Sequence, residues 1–423
     1  MPLDFQIQVD QNEYLPADGR LMDAVISVTA SGEGLTVPAA DLTVAQVIMI
    51  DCSGSMEGAK LVEAKRAVKV AVNELRNGVK FAIVAGSNNA RLVYPVDGKL
   101  AVASGQTRQV AAKAVGRLRV EGGTAIGSWL EAASRLLSGS DAKIKHGLLL
   151  TDGQNVLESD REFAQTLRAC EGEFVCDSRG VGTGWSADTL DQVATALLGS
   201  AKGLLDPSEL AADFREINET LMGRATADVG LRLWTPAHAR VRFLKQVFPR
   251  ISDLTGRGVE ISPRIQEYPT GHWGAETRDY HLSVEVEPGA VGEGMVAARV
   301  RLVAGAQESE EHRVRAKWTE DLRLSTRISP QVAHFTGQAD IAELVEDGLT
   351  AKAAGDNTRA TAKLQKAREI AVETGNTHVV KRLDDINGGK NIKADMAHAL
   401  GEMLKLDTKR THRKEATGDA DLP

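Results

Sequence analysis

Cysteine is scarce in this chain: Cys52, Cys170 and Cys176 are all there is. An odd number so placed makes no disulfide framework and suits a reducing compartment. Cys170 and Cys176, six positions apart, read as two buried thiols rather than a bridge. Long apolar runs are also missing, and none approaches the roughly 20 residues that span a bilayer. Asp4 interrupts MPLDFQIQVDQNEY where a secretory signal needs an apolar core. A cytoplasmic protein with no membrane span is therefore the expectation. Net positive charge is lacking too: the balance is −7, which excludes a nucleic-acid binder relying on a basic surface.

Several catalytic signatures are absent as well. Gly98-Lys99 and Gly389-Lys390 lack the residue that would complete a phosphate-binding loop. The nine histidines show neither H-E-x-x-H nor paired spacing, which leaves zinc unsupported. G-x-S-x-G does not occur, and with it goes the hydrolase elbow. Gly180-x-Gly182-x-Gly184 lacks dinucleotide spacing and reads as a flexible turn. What remains is a soluble composition, 42% apolar and 26% charged, over 423 residues, enough for two or three domains.

The informative stretch is AQVIMIDCSGS, residues 45–55. An apolar strand, Val47 to Ile50, delivers Asp51, and Ser53 and Ser55 follow at every second position. A strand ending in such a turn aims three oxygens at one point beyond its carboxyl end, where open α/β sheets bind ligands. Carboxylate and hydroxyl oxygens are hard donors, suited to Mg²⁺ or Mn²⁺. The same residue types also serve as ordinary helix caps. Glu121-Gly122-Gly123-Thr124 then opens another helix with a hydroxyl. Gly147 to Leu150 forms a second apolar strand that ends in Thr151-Asp152-Gly153.

The ordered set Asp51, Ser53, Ser55, Thr124 and Asp152 resembles the metal-ion-dependent adhesion site of von Willebrand factor A (VWA) domains, matching its pattern without substitution. The resemblance implies that the two serines and the threonine coordinate Mg²⁺, with Mn²⁺ or Ca²⁺ as alternatives. The aspartates would act mostly through bound water. An acidic residue of a protein partner would take the sixth octahedral position.

Around this motif the periodicities change three times. In residues 1–40, Phe5, Ile7 and Val9 alternate with Asp4, Gln6 and Gln8, and Met22, Ala24, Ile26 and Val28 recur at every second position, the pattern of an antiparallel β pair with one buried face. From 42 to 222 strands alternate with helices, the mark of a doubly wound parallel sheet, Rossmann-like in plan. A hairpin at Ser87–Ala90 supplies an antiparallel edge. Residues 227–325 return to period two, as in Val229/Leu231/Leu233 and Val296/Ala298/Val300/Leu302, and read as a β-sandwich. The first strands lack partners of their own, so the expected fold class is α/β, with the VWA sheet inserted in that sandwich. Integrins resemble this arrangement.

Residues 330–406 read as a small helical region of three helices, similar to a tetratricopeptide hairpin or a plain bundle. Residues 407–423 show no apolar periodicity and read as a disordered tail. Thr408, Thr411 and Thr417 lie there among Lys409, Arg410, Arg413 and Lys414, as candidate phosphorylation sites or as a plain solvated tail. His272-Trp273, in a Gly-rich stretch, is either a contact loop or an ordinary sandwich loop.

With one metal site and no His, Lys or second carboxylate pair placed as a base, a non-enzymatic protein-binding module is expected. The tail GDNTRATAKLQKAREIAVETGN resembles actinobacterial VWA proteins of signalling systems, which implies Ser/Thr kinase, phosphatase or forkhead-associated partners. Two alternatives stand beside this: a VWA subunit coupling to an AAA+ ATPase, and a Mg²⁺-dependent hydrolase.

Overall fold

A computed structural model describes residues 4–31, 43–222, 229–305, 307–388 and 394–413. The expected boundary at 40–42, the stretch 223–227 between the next two expected regions, and Lys414 and Thr417 fall on residues outside these. Strands β1 (Asp4–Gln11) and β2 (Leu21–Ser31) open the chain. There follow β3 (Val44–Asp51), α1 (Ala59–Glu74), β4 (Lys80–Gly86), β5 (Ala90–Tyr94), α2 (Gly105–Gly116) and α3 (Ile126–Ser138). Next come β6 (Ile144–Thr151), α4 (Asp160–Cys170), β7 (Val175–Val181), α5 (Ala187–Ala196), β8 (Ala201–Leu204) and α6 (Leu210–Met222).

The central sheet runs β8-β7-β6-β3-β4-β5, with the short Ala101–Val102 strand also on β4. All pairs are parallel except those that β5 and Ala101–Val102 make with β4. β3 shows why the order is stable. Its Ile48 and Ile50 pack into a core with α1, α2 and α6. Val47 and Met49 point into a second core with α3, α4 and α5. A strand apolar on both faces belongs in the middle of a covered parallel sheet. The helices match it: Leu61, Ala64, Val68 and Val72 make one buried face of α1, and Ile126, Trp129, Leu130, Ala133 and Leu137 one of α3. Each such large apolar side chain contributes about 1.5–3 kcal/mol on burial.

Beyond the sheet lie β9 (Val229–Trp234), β10 (Ala239–Phe248), β11 (Ile265–Pro269), β12 (Thr277–Val286), β13 (Gly294–Ala304) and β14 (His312–Thr319). The first strands are built in among them. One sheet runs β1-β2-β12-β10 and ends on Ser252–Asp253. Tyr14–Pro16 joins the other, which contains β11-β9-β13-β14, by pairing parallel with β14. Met22, Ala24, Ile26 and Val28 enter the sandwich core with Leu231, Leu282 and Trp318. Phe5, Ile7 and Val9 are only half-buried against that core, because β1 is an edge strand.

The other face of β2 is covered as well. Val25 packs with Val247, Val332 and Phe335, the last two from α7 (Pro330–Ala353). Helices α8 (Asn357–Glu373), α9 (Thr377–Gly388) and α10 (Ala394–Lys409) complete the helical region. All four share one core, in which Ile341, Leu364, Val379 and Leu404 meet. The three-helix expectation missed α10, although Ala399, Leu400 and Leu404 carry helical spacing and are buried.

The disordered-tail reading of residues 407–423 is corrected for 407–413. α10 runs to Lys409, and the next residues are held through their backbone. Ile251 donates to the Lys409 carbonyl at 2.7 Å, Thr411 to the Pro249 carbonyl at 3.1 Å, and His412 to Gln338 at 3.3 Å. Thr408 and Thr411 are 2% and 4% exposed. Their hydroxyls are bonded, to the Lys405 and Val247 carbonyls. Backbone pairing needs no apolar period, so composition alone could not reveal it. Phosphorylation of these two threonines is not compatible with that packing.

Candidate metal centre

The winding of the central sheet reverses between β3 and β6: the chain proceeds from β3 to β4 on one side and from β6 to β7 and β8 on the other. Such a switch point leaves a crevice at the carboxyl ends of the strands. Asp51 ends β3 there, and Asp152 follows β6. The Asp51 carboxylate accepts the Ser53 backbone N–H at 2.7 Å and the Thr151 hydroxyl at 2.6 Å. Burial pushes its carboxyl above the usual range. The bonds from Ser53 and Thr151 oppose that, and the nearby Asp152 charge adds to it.

The turn after Asp51 is fastened on two sides. Cys52 donates to the Gly86 carbonyl, Glu121 to the Cys52 carbonyl, and Gly54 to the Gly122 carbonyl at 3.0 Å. Ser53 Oγ and Ser55 Oγ are thereby brought 3.0 Å apart, and Ser55 Oγ donates to Asp152 Oδ1 at 2.7 Å. Thr124 joins them across Gly153. A Cβ placed on Gly153 would lie 3.3 Å from Thr124 Oγ1 and 3.5 Å from Ser55 Oγ, so both hydroxyls border one small space that glycine leaves clear. All five residues singled out in the sequence thus meet at one place.

The structure adds residues that the sequence reading did not single out. Thr151 bridges Asp51 and the Gly153 N–H. Lys60, in the first turn of α1, donates to Asp152 Oδ2 at 2.5 Å and to the Ser55 carbonyl at 3.3 Å. A lysine therefore does belong to the site. The start of α3 has no cap of its own, since Ala125 stands there. Asn155 accepts the Ile126 N–H at 3.0 Å, while Glu158 accepts those of Gly127 and Ser128 at 2.7 and 3.0 Å. These side chains fill the orphan donors of the helix and hold Thr124 against the loop after Asp152. The spacing Asn155-x-x-Glu158 just after Asp152 was the available signal, but its target lies 29 and 31 residues earlier in the chain.

The glycine series after β7 also serves the site. A Cβ on Gly184 would lie 2.9 Å from the Asp152 carbonyl oxygen, and one on Gly182 would lie 3.1 Å from Lys60 Cε. What read as a flexible turn is a close approach of backbone to the site. His272-Trp273, by contrast, is internal: Trp273 is fully buried, donates to Thr270 at 2.9 Å and lies under Arg278. Cys52, Cys170 and Cys176 are buried and unpaired, and burial pushes the Cys52 thiol up to about 12, which removes it as a nucleophile.

Two nearly inaccessible carboxylates, at 0% and 1% exposure, stand among three hydroxyls and one ammonium. The donor chemistry fits a hard divalent cation, which would offset the cost of burying both charges. Among the described residues no three His, Cys, Asp or Glu converge, here or elsewhere, so the donor set of this site rests on hydroxyls beside its two carboxylates.

This is a doubly wound α/β domain with an oxygen-lined site at its switch point, embedded in a β-sandwich and followed by a helical region. Residues 45–202 match the model of the von Willebrand factor type A domain, and the chain belongs to that family. A von Willebrand factor type A protein from Catenulispora acidiphila is 42% identical, covering 97% of this chain and 98% of its own, with a TM-score of 0.90. The ArnB paralog VWA2 from Sulfolobus acidocaldarius shares the fold at 13% identity, over 97% of this chain and 100% of its own, with a TM-score of 0.59. A Synechocystis protein described as uncharacterized is 30% identical over 231 residues, 53% of this chain. The chain matches about half, 52%, of that relative's length. VWA domains are protein-interaction modules, generally without catalytic activity.

Proposed function

We propose that this protein is a divalent-metal-dependent protein-binding module. Asp51, Ser53, Ser55, Thr124 and Asp152 hold Mg²⁺, with Mn²⁺ or Ca²⁺ as substitutes, and a carboxylate of a protein partner completes the metal's coordination. The observation that carries this reading is the convergence at the switch point of Ser53 on Ser55, 3.0 Å apart, and of Ser55 on Asp152, 2.7 Å apart. Bound metal supplies a fixed positive charge to which an acidic side chain binds. Thr151 and the Ser53 N–H hold the Asp51 carboxylate in place, so the site is preorganised.

The setting we propose is a cytoplasmic scaffold in a signalling or assembly pathway, with partners of the Ser/Thr kinase, phosphatase or forkhead-associated classes. No described helix is long and apolar enough to cross a membrane. Calorimetric titration with Mg²⁺ tests the site. Asp51→Ala with Ser53→Ala should abolish binding and keep the fold, as judged by circular dichroism. Equal affinity in wild type and variant would overturn the metal reading. Crosslinking in the native host with and without chelator, followed by identification of the captured protein, tests the partner class.

A further inference from the structure

The rim of the metal centre carries apolar side chains that the fold does not use. The loop after Asp152 presents Val156 at 67% and Leu157 at 52% exposure, unlike the large apolar residues of β3 and β6 beneath it. This loop is held in place. The N–H groups of Val156 and Leu157 both donate to the Thr124 carbonyl, each at 3.2 Å, and Asn155 and Glu158 on either side cap α3. Two exposed aliphatic side chains are therefore fixed one hydrogen bond from a proposed ligand residue. A soluble protein exposes single apolar residues freely, but a rigid adjacent pair beside a binding site is a ready contact surface.

Charge indicates what the pair would meet. Lys60 places an ammonium on Asp152 with its side chain still 31% exposed. Together with the proposed metal it makes the centre of this surface attractive to anions, while its Val156–Leu157 flank is aliphatic. We infer that the surface around Thr124 and Asp152 takes a protein loop in which an acidic residue stands next to an aliphatic one, the acid at the metal and the aliphatic side chain on Val156 and Leu157. This rests on the metal reading above and adds to it the residue beside the acid.

The test uses the full chain and a displayed library of cyclic peptides with one fixed Asp and randomised neighbours. Peptides captured in Mg²⁺ and released by chelator should be enriched in Val, Leu or Ile beside the Asp. Val156→Ser should weaken a selected peptide about tenfold by removing a partly buried aliphatic contact. It should leave Mg²⁺ affinity and melting unchanged, and Val156→Ile should bind as wild type does. Chelator-released peptides without aliphatic preference, or a neutral Val156→Ser, would overturn the inference and leave the metal reading standing. Absence of any chelator-released peptide, together with absence of Mg²⁺ binding heat, would overturn both.

Discussion

The ammonium of Lys60 rests on Oδ2 of Asp152 while Ser55 Oγ donates to Oδ1 of the same carboxylate. Asp152 is thus bound on both oxygens, one of them by a cation that belongs to the chain. A divalent ion held by these residues would lie near the Lys60 ammonium and be repelled by it. A unit charge roughly 6 Å from a divalent ion costs about 1.4 kcal/mol under water-like screening, or about tenfold in affinity. Lys60→Met should accordingly tighten Mg²⁺ binding by up to about tenfold in calorimetry and lower the melting temperature of the metal-free protein. Lys60→Arg should behave as wild type. Weaker Mg²⁺ binding by Lys60→Met would show that Lys60 supports the site instead of competing for it.

Gly184 gives a second, purely steric prediction. Its missing Cβ would sit 2.9 Å from the Asp152 carbonyl, a distance that real Cβ atoms do not tolerate, and the obstacle is backbone. Gly184→Ala must displace either the 182–185 loop or the Thr151-Asp152-Gly153 turn. Overpacking of this kind costs about 1–3 kcal/mol. The expected result is a lower melting temperature together with weaker Mg²⁺ binding. A stability loss with unchanged Mg²⁺ affinity would place the adjustment in the loop alone.

The contrast between Asp51 and Glu158 shows what could be read from the sequence and what could not. Asp51, Ser53 and Ser55 lie on one strand end, and their spacing alone aims three oxygens together. The strands and helices from β3 to α6 were legible for the same reason, since period and length decide them locally. Glu158 acts on the N–H groups of Gly127 and Ser128, and Lys60 on Asp152, across separations that only the folded sheet closes. The segment 410–413 was missed because its anchors, the Val247 and Pro249 carbonyls and the side chains of Gln338 and Asp279, lie far away in sequence and leave no local pattern. β2 was read as having one polar face, yet Val25 is buried beneath a helix that starts about three hundred residues later.

Asp177 sets a pH prediction. It is buried, and burial alone would raise its carboxyl. The hydrogen bond and charge of His146, 2.8 Å away, together with Arg179 and Ser200, overcome this and hold it far below the usual carboxylate range. A carboxyl depressed in the folded state gives stability that is complete above its unfolded value, about 3.9, and is lost as pH falls below it. The melting difference between wild type and Asp177→Asn should be full at about pH 5 and shrink below about pH 4. A difference that grew on acidification would contradict the assignment.

The last prediction concerns Arg413 and Asp279, 134 positions apart. Asp279 lies in β12 with no exposure, and Arg413 Nε stands 3.0 Å from its Oδ2 as an ion pair, off the hydrogen-bond line. Arg413 also reaches Ser27 on β2, at 3.4 Å, so this one side chain ties the segment after α10 to two sandwich strands. Burial pushes the Asp279 carboxyl up, with Ser27 and Arg413 opposing. Removing the cation leaves a buried carboxylate without its partner, which costs more than removing both charges. Arg413→Ala should therefore destabilise by about 1–3 kcal/mol in urea unfolding, toward the low end because the arginine is partly exposed. Asp279→Asn in the same chain should recover most of that loss. Additive losses from the two substitutions would show that Arg413 acts through packing on Phe248, over which its guanidinium also lies, rather than through Asp279.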